Sequence, residues 1–232
     1  MNEFLVMWLE GPLQSWGHNS RFDIRDTLPF PTWSGLCGII CCAMGKGGEQ
    51  TELLKKLTRY PPQLFAFEHH NYGQTVLQDY HGVGGGLNAD DPFEVLMIPK
   101  TREGKKPTGV AGNILTWRYA LQDSVFCALQ RFDGELSSEI ATALERPYWQ
   151  IYLGRKAYTP SSHVLLGTYP DEGTALSAIK ETAKSKDLTL RFKVTDGQDD
   201  EADDCILLND VPLKFGIHKE YASRYVSIFK QH

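Results

Sequence analysis

The stretch QSWGHNSRFDIRDTLPFPTWSGLCGIICCAMG, residues 14–45, sets polar, cationic and turn-forming side chains between an apolar strand and a glycine-punctuated apolar helix. Ordinary structural sequence would place a short connection there, so the stretch is read as one that binds something. Within it, Pro31 biases Phe30 to an extended conformation, and Thr32 or Ser34 is set to accept from the first free amides of a helix beginning near Trp33. Leu36, Ile40 and Met44, with Cys37 and Cys41, recur at three- and four-residue spacings, while Gly35, Gly38 and Cys42 form a second stripe with almost no side chain. Such a helix is buried nearly all round. Each interior glycine costs about 1 kcal/mol against alanine, which implies that something approaches the backbone closely. The sheet beneath the helix fits that role, and so does a phosphate drawn to the free amides and positive end of the helix; the residues alone leave both open.

On the N-terminal side, FLVMWL at residues 4–9 is continuous in large apolar residues and predicts a strand covered on both faces, ending at Gly11-Pro12. On the C-terminal side, GKGG at 45–48 lacks the spacing and hydroxyl of a phosphate loop and is read as a turn. A helix over 51–59 closes at Pro61-Pro62, and strands over 64–70 and 75–80 are joined through Asn71-Tyr72-Gly73. Residues 81–113 are rich in glycine and charge and too long for an ordinary loop, which predicts a hairpin or arm projecting from the body. Alternation returns over 114–130, followed by a helix over 135–146, a short strand at 151–153 and the cationic turn Gly154-Arg155-Lys156. A helix over 174–184 and strands over 188–194, 205–208 and 225–229 complete the chain, around an acidic loop at 196–204 expected to be solvated and mobile. The order strand, helix, strand pair, helix, strand predicts an α+β, ferredoxin-like (RRM-like) domain, whose open sheet face is a common platform for single-stranded RNA. The expected division is a body over 1–153, carrying a thumb insertion at about 82–113, and a smaller sheet-rich C-terminal part over 154–232.

At 232 residues and 41% hydrophobic content the chain can bury a substantial core. Five cysteines, two of them adjacent within a helix, make neither a disulfide framework nor a paired metal-ligand spacing, so a reducing compartment, buried thiols and no metal or cofactor are expected. The N-terminal apolar run is too short for a signal peptide or a membrane span, which places the expected protein in the cytoplasm, away from membranes. A net charge of −5 argues against a free-standing, non-specific nucleic-acid binder. That charge is uneven, because residues 196–204 hold six carboxylates and no cation, leaving 24 cations against 23 carboxylates elsewhere. Lys100, Arg102, Lys105, Lys106 and Arg118 face a single acid, Glu103, within residues 100–118, a local cationic patch.

Four motifs carry a resemblance: LEGPLQSWG at 9–17, FPTWSGLCG at 30–38, LQDYHGV at 77–83 and YLGRK at 152–156. Together, in order and across nearly the whole chain, they resemble the CasD family, the crRNA 5′-end subunit of type I-E CRISPR Cascade within the RAMP proteins. The resemblance implies a non-catalytic RNA-binding subunit in antiviral defence, with a ferredoxin-like body and a β-hairpin thumb that clamp the 5′ handle of the guide and cap the filament of backbone subunits. Implied partners are crRNA, the backbone subunit and the large subunit, with target DNA touched only indirectly. Carried onto this sequence, Gln14, Ser15, Trp16, Arg21 and Arg25 line the handle groove, Ser34, Gly35 and Gly38 offer backbone to it, and Arg155 and Lys156 sit in the motif turn. Tyr80 and His81 belong to a further motif, and Lys100, Arg102, Lys105, Lys106 and Arg118 enter on charge. Trp33 stands where relatives are often basic, which substitutes stacking for a phosphate contact.

Each residue also has a plain role. Trp16 fits a core position beside the strand, Arg21 and Arg25 fit surface ion pairs with Asp23 and Asp26, and Gln14 and Ser15 fit turn amides. The rival function is a metal-independent endoribonuclease acting on CRISPR repeat RNA, with His81 beside Tyr80 and a thumb lysine as acid, base and charge stabiliser.

Overall fold

The computed structural model describes residues 2–18, 20, 23–69, 73–83 and 114–231. Its spine is β5 (Ile114–Asp133), a 20-residue strand with a neighbour along each edge. On one edge lies β1 (Asn2–Gln14), in antiparallel register from Asn2↔Asp133 to Gln14↔Leu121, followed by the short parallel β2 (Ile24–Arg25) opposite Trp117 and Arg118. On the other edge, β3 (Gln63–His69) pairs with residues 125–129 and β4 (Thr75–Val83) with residues 114–122. The two strands expected to follow one another through a turn thus pair not with each other but with successive halves of β5. The change of partner falls at Asp123, held at φ +46°, a conformation that aspartate tolerates better than most residues.

The antiparallel sheet continues to both sides. Its path is β6-β1-β5-β3-β7-β9-β8, with β6 (Leu165–Tyr169), β7 (Leu188–Asp196), β8 (Asp204–Lys214) and β9 (Glu220–Lys230) all drawn from beyond residue 153. The C-terminal strands therefore extend the sheet across the 153/154 boundary at two places, β6 on β1 and β7 on β3.

The continuous apolar run of β1 is explained by two cores. Leu5, Met7 and Leu9 point to a large cluster with α1 (Trp33–Ala43), α2 (Thr51–Leu57) and α3 (Gly134–Glu145), while Val6 and Trp8 point to a second cluster under α4 (Glu172–Ser185). The strand does not end at Gly11-Pro12 as expected. Gly11 keeps its pairing with Ser124, and a Cβ there would lie 2.9 Å from the carbonyl oxygen of Thr159, in a segment that crosses β1 and donates from Ser161 N to Glu10 O. Residues 151–153 are irregular rather than a strand, their backbone serving single cross-links such as Ser15 N to Leu153 O at 3.1 Å. The acidic loop is mostly exposed, as expected, and is anchored at three points: Asp196 accepts from Arg224, Asp199 N donates to Ser227 Oγ, and Asp203 accepts from Lys230 N. Register in the β4–β5 ribbon reaches Val83↔Ile114, and the rest of the expected arm, with Lys100, Arg102, Lys105 and Lys106, lies outside the described residues, as does Arg21. No helix among the described residues is long and apolar enough to cross a membrane, and among them no group of three or more His, Cys, Asp or Glu side chains is placed to hold a metal.

Candidate nucleic-acid interface

Helix α1 starts where expected. Thr32 is its N-cap, extended at φ −79° and ψ 152°, with Oγ1 accepting from Gly35 N at 3.1 Å. A second acceptor was not legible: Asp210, on the β8–β9 hairpin, takes Trp33 N at 2.7 Å. Its other partner is Arg224, in a two-pronged pair at 2.7 and 3.0 Å, and the guanidinium lies 5.0 Å over the Trp33 ring. Asp210 is 2% exposed and the Arg224 side chain 7%, so a carboxylate of the chain itself occupies the positive end of the helix. Phosphate capture by the amides of residues 33 and 35 is thereby superseded. Trp33, expected as a stacking residue, is buried in the core instead.

The two helical glycines have different surroundings. A Cβ on Gly35 would lie 2.9 Å from Trp16 Cε3 and 3.0 Å from Thr32 Oγ1, so this glycine makes room for the Trp16 ring. A Cβ on Gly38 would meet nothing within 4 Å. Gly38 opens onto a groove of about 560 Å³ whose walls draw on three of the four motifs: Ser15 to Gly17; Thr32, Ser34, Gly35 and Gly38; and Tyr152 with Gly154. The YLGRK turn is locked against the first motif, since Gly154 has φ +91° and a Cβ there would collide with the Ser15 carbonyl oxygen. The far wall is Phe215, Gly216 and Lys219 from the β8–β9 connection and Tyr221 from the start of β9, some 200 residues away in sequence, where only a turn with one glycine and a lysine marks it. Among the described residues no carboxylate lines this groove, and the Lys219 ammonium has no partner.

The expected site residues divide accordingly. Ser15, Trp16, Ser34, Gly35 and Gly38 line the groove. Gln14 does not: it is fully buried, and its side-chain amide donates to the carbonyls of Leu9 at 3.0 Å and Ser124 at 2.5 Å, tying β1 to β5. Trp16 is buried to 1% exposure, so its ring forms a wall rather than a stacking surface; its indole N–H has no partner among the described residues. Ser15 Oγ donates to Tyr119 O at 3.1 Å. Beside the groove three arginines are linked: Arg155 donates to the Arg25 carbonyl at 3.2 Å, and Arg25 stands opposite Arg118 in the β2–β5 register. Lys156 is exposed. Tyr80 and His81 lie on the β4–β5 ribbon and do not line the groove; Tyr80 packs against Trp117 at 4.6 Å, and His81 Nε2 is 2.6 Å from Asp79. Trp117, half-exposed beside Tyr80, was missed because nothing local marked it.

The family model described as CRISPR-associated protein (Cas_Cas5) matches residues 4–227. The CRISPR system Cascade subunit CasD of Escherichia coli (strain K12) is 28% identical over 176 residues, covering 72% of each chain. Among solved structures, a chain of a CRISPR RNA-guided surveillance complex is similar at TM-score 0.72 and 28% identity, over 98% of this chain and 90% of that one. A Cas protein crystal structure is similar in fold, at TM-score 0.58 and 22% identity, over 98% of this chain and 94% of that one.

Proposed function

Because the chain belongs to the CRISPR-associated Cas5 family, with CasD among its relatives, we propose that it is a non-catalytic, RNA-binding subunit of a type I-E Cascade surveillance complex. In that role it clamps the crRNA 5′ handle and caps the backbone filament beside the large subunit, in the cytoplasm. The observation that carries the reading is the acid-free groove at Gly38. On a chain of net charge −5, three family motifs converge on a cavity that no carboxylate among the described residues lines, with Lys219 on one wall and Arg25, Arg118 and Arg155 alongside. An open helical glycine lets a sugar-phosphate backbone approach the helix closely, while the cations hold phosphates.

The body is a ferredoxin-like unit in this reading. Its support is the order β6-β1-β5-β3, which is strand four, one, three and two of a strand-helix-strand-strand-helix-strand chain. The β4–β5 ribbon is the base of a thumb whose cationic part, Lys100, Arg102, Lys105 and Lys106, reaches the same RNA. The part beyond residue 153 is woven into the body's sheet and supplies Asp210 and Lys219 to the site.

The test is to co-purify the chain with its genomic neighbours and sequence the retained RNA. Wild-type complex is expected to retain guides with an intact repeat-derived 5′ end. Gly38→Leu, which fills the groove without touching the core, is expected to assemble poorly and to lose the guide; retention at wild-type level sinks the clamp. Incubating the purified chain with repeat RNA in EDTA addresses the endoribonuclease: site-specific cleavage abolished in His81→Ala favours that rival over the clamp.

A further inference from the structure

The groove does not stop at the start of α1. A second cavity of about 510 Å³ shares Gly38, Cys42, Tyr152 and Phe215 with the first and continues along the helix toward its C-terminal end. Its volume lies in the range of small-molecule sites, about 300–1,000 Å³. Among the described residues, Lys46 and Lys156 line it, neither is paired with an acid, and no carboxylate lines it. Lys46, Gly47 and Gly48 of the glycine turn, which no phosphate-loop chemistry explained, line it on one side and Trp149 on another.

Trp149 is exposed yet fixed. Tyr148 N donates to Ala43 O at 2.8 Å and Trp149 N to Cys42 O at 3.4 Å, so the segment after α3 caps the last carbonyls of α1. The Tyr148 ring lies against Gly45, which has φ +67° and where a Cβ would come within 2.7 Å of that ring. Trp149 meets Tyr148 edge-on at 5.2 Å and remains 45% exposed. A tryptophan clamped by its own backbone but left open on one side is a pre-ordered stacking surface, and ordering it on binding costs little.

We propose that this second cavity is a subsite for one unpaired nucleotide of the same RNA strand, its base stacked on Trp149 and its phosphate met by Lys46 and Lys156. The inference rests on the handle-binding reading and extends it, by assigning the strand a path over Gly38 from one cavity into the next. Two cations without an acid select an anion, and an exposed indole beside them selects a planar ring; a nucleotide carries both.

The experiment uses the assembled complex carrying a guide with 4-thiouridine in place of uridine, irradiated and mapped by mass spectrometry. Crosslinks are expected in residues 148–156 as well as in residues 15–38. Trp149→Ala is expected to remove the first set and to weaken guide retention against competitor RNA roughly 10-fold, with Trp149→Phe restoring most of it. Joint replacement of Lys46 and Lys156 by alanine is expected to lower the slope of log affinity against log salt by about 0.7 to 1.4. Crosslinks confined to residues 15–38, with Trp149→Ala holding its guide as wild type does, overturn the subsite and leave the handle reading standing. A neighbouring protein crosslinked at Trp149 in place of RNA also overturns the subsite. Crosslinks in neither region overturn both.

Discussion

Gly35 and Gly38 stand one turn apart on the same helix and answer the same question in opposite ways. At Gly35 the approaching object is the chain itself, the Trp16 ring, and the helix start is closed further by Thr32 and Asp210. At Gly38, apart from the helix's own backbone and the chain neighbours, no atom of the described residues comes within 4 Å of where a Cβ would stand. The first turn of α1 is thus finished internally, and the middle is left for something else. A helix interior that keeps a glycine it does not need for packing forgoes stability, and in the proposed function a bound backbone offsets that loss.

The largest effect that can break this contrast lies at the closed end. Asp210→Ala leaves the Arg224 guanidinium buried with only Asp196 at 3.1 Å and removes the acceptor of Trp33 N, a loss of about 3–5 kcal/mol. Chemical denaturation is expected to show the drop in midpoint, with Asp210→Asn intermediate because it keeps an acceptor. An Asp210→Ala chain as stable as wild type means that the hairpin does not secure the helix. Gly35→Ala comes next. Its methyl group has to displace the Trp16 ring and Thr32 Oγ1, at about 1–3 kcal/mol.

Gly38→Ala sharpens the comparison by reversing the sign. With open space around it and helical backbone, the substitution is expected to stabilise the isolated chain by about 0.5–1 kcal/mol while lowering guide retention in the assembled complex. A thermal melt and an RNA-retention assay on the same variant separate the two, and a destabilised, RNA-competent Gly38→Ala reverses the assignment of this turn.

What was legible in the chain follows from where the information is local. A hydroxyl cap at Thr32 or Ser34, which the structure settles on Thr32, the Trp33 start, the two-faced β1 and the long β5 all rest on periodicity and turn chemistry within a few residues, and each stands in the structure. Gln14 was misplaced because a buried amide that ties two strands has the same sequence signature as one that meets a ligand. Asp210 and Lys219 were invisible for a different reason: they reach α1 across nearly 180 residues or more, through a hairpin whose role depends on β9 pairing with β7. β6 escaped notice because its five residues, LLGTY, are only half-buried and have no alternation to read. In the sequence the two glycines are indistinguishable, since only the tertiary position of Trp16 separates a filled gap from an open one.

The smallest perturbation tests the same division without changing stability, through the adjacent thiols Cys41 and Cys42. Burial, with the neighbouring Cys42 thiol, pushes Cys41 up to about 11, while Cys42 is raised by a lesser burial and opens onto both cavities. The thiolate is the reacting form, so slow alkylation at mildly alkaline pH is expected to modify exposed Cys205 first, Cys42 next and Cys41 last. Bound RNA is expected to slow Cys42 most and the already slow Cys41 with it, because both line the second cavity, and to leave Cys205, on β8 outside either cavity, unchanged. Equal protection of Cys42 and Cys205 means that RNA acts through assembly in general rather than through this groove, and unchanged Cys42 kinetics in a guide-loaded complex place the strand on another face of the molecule.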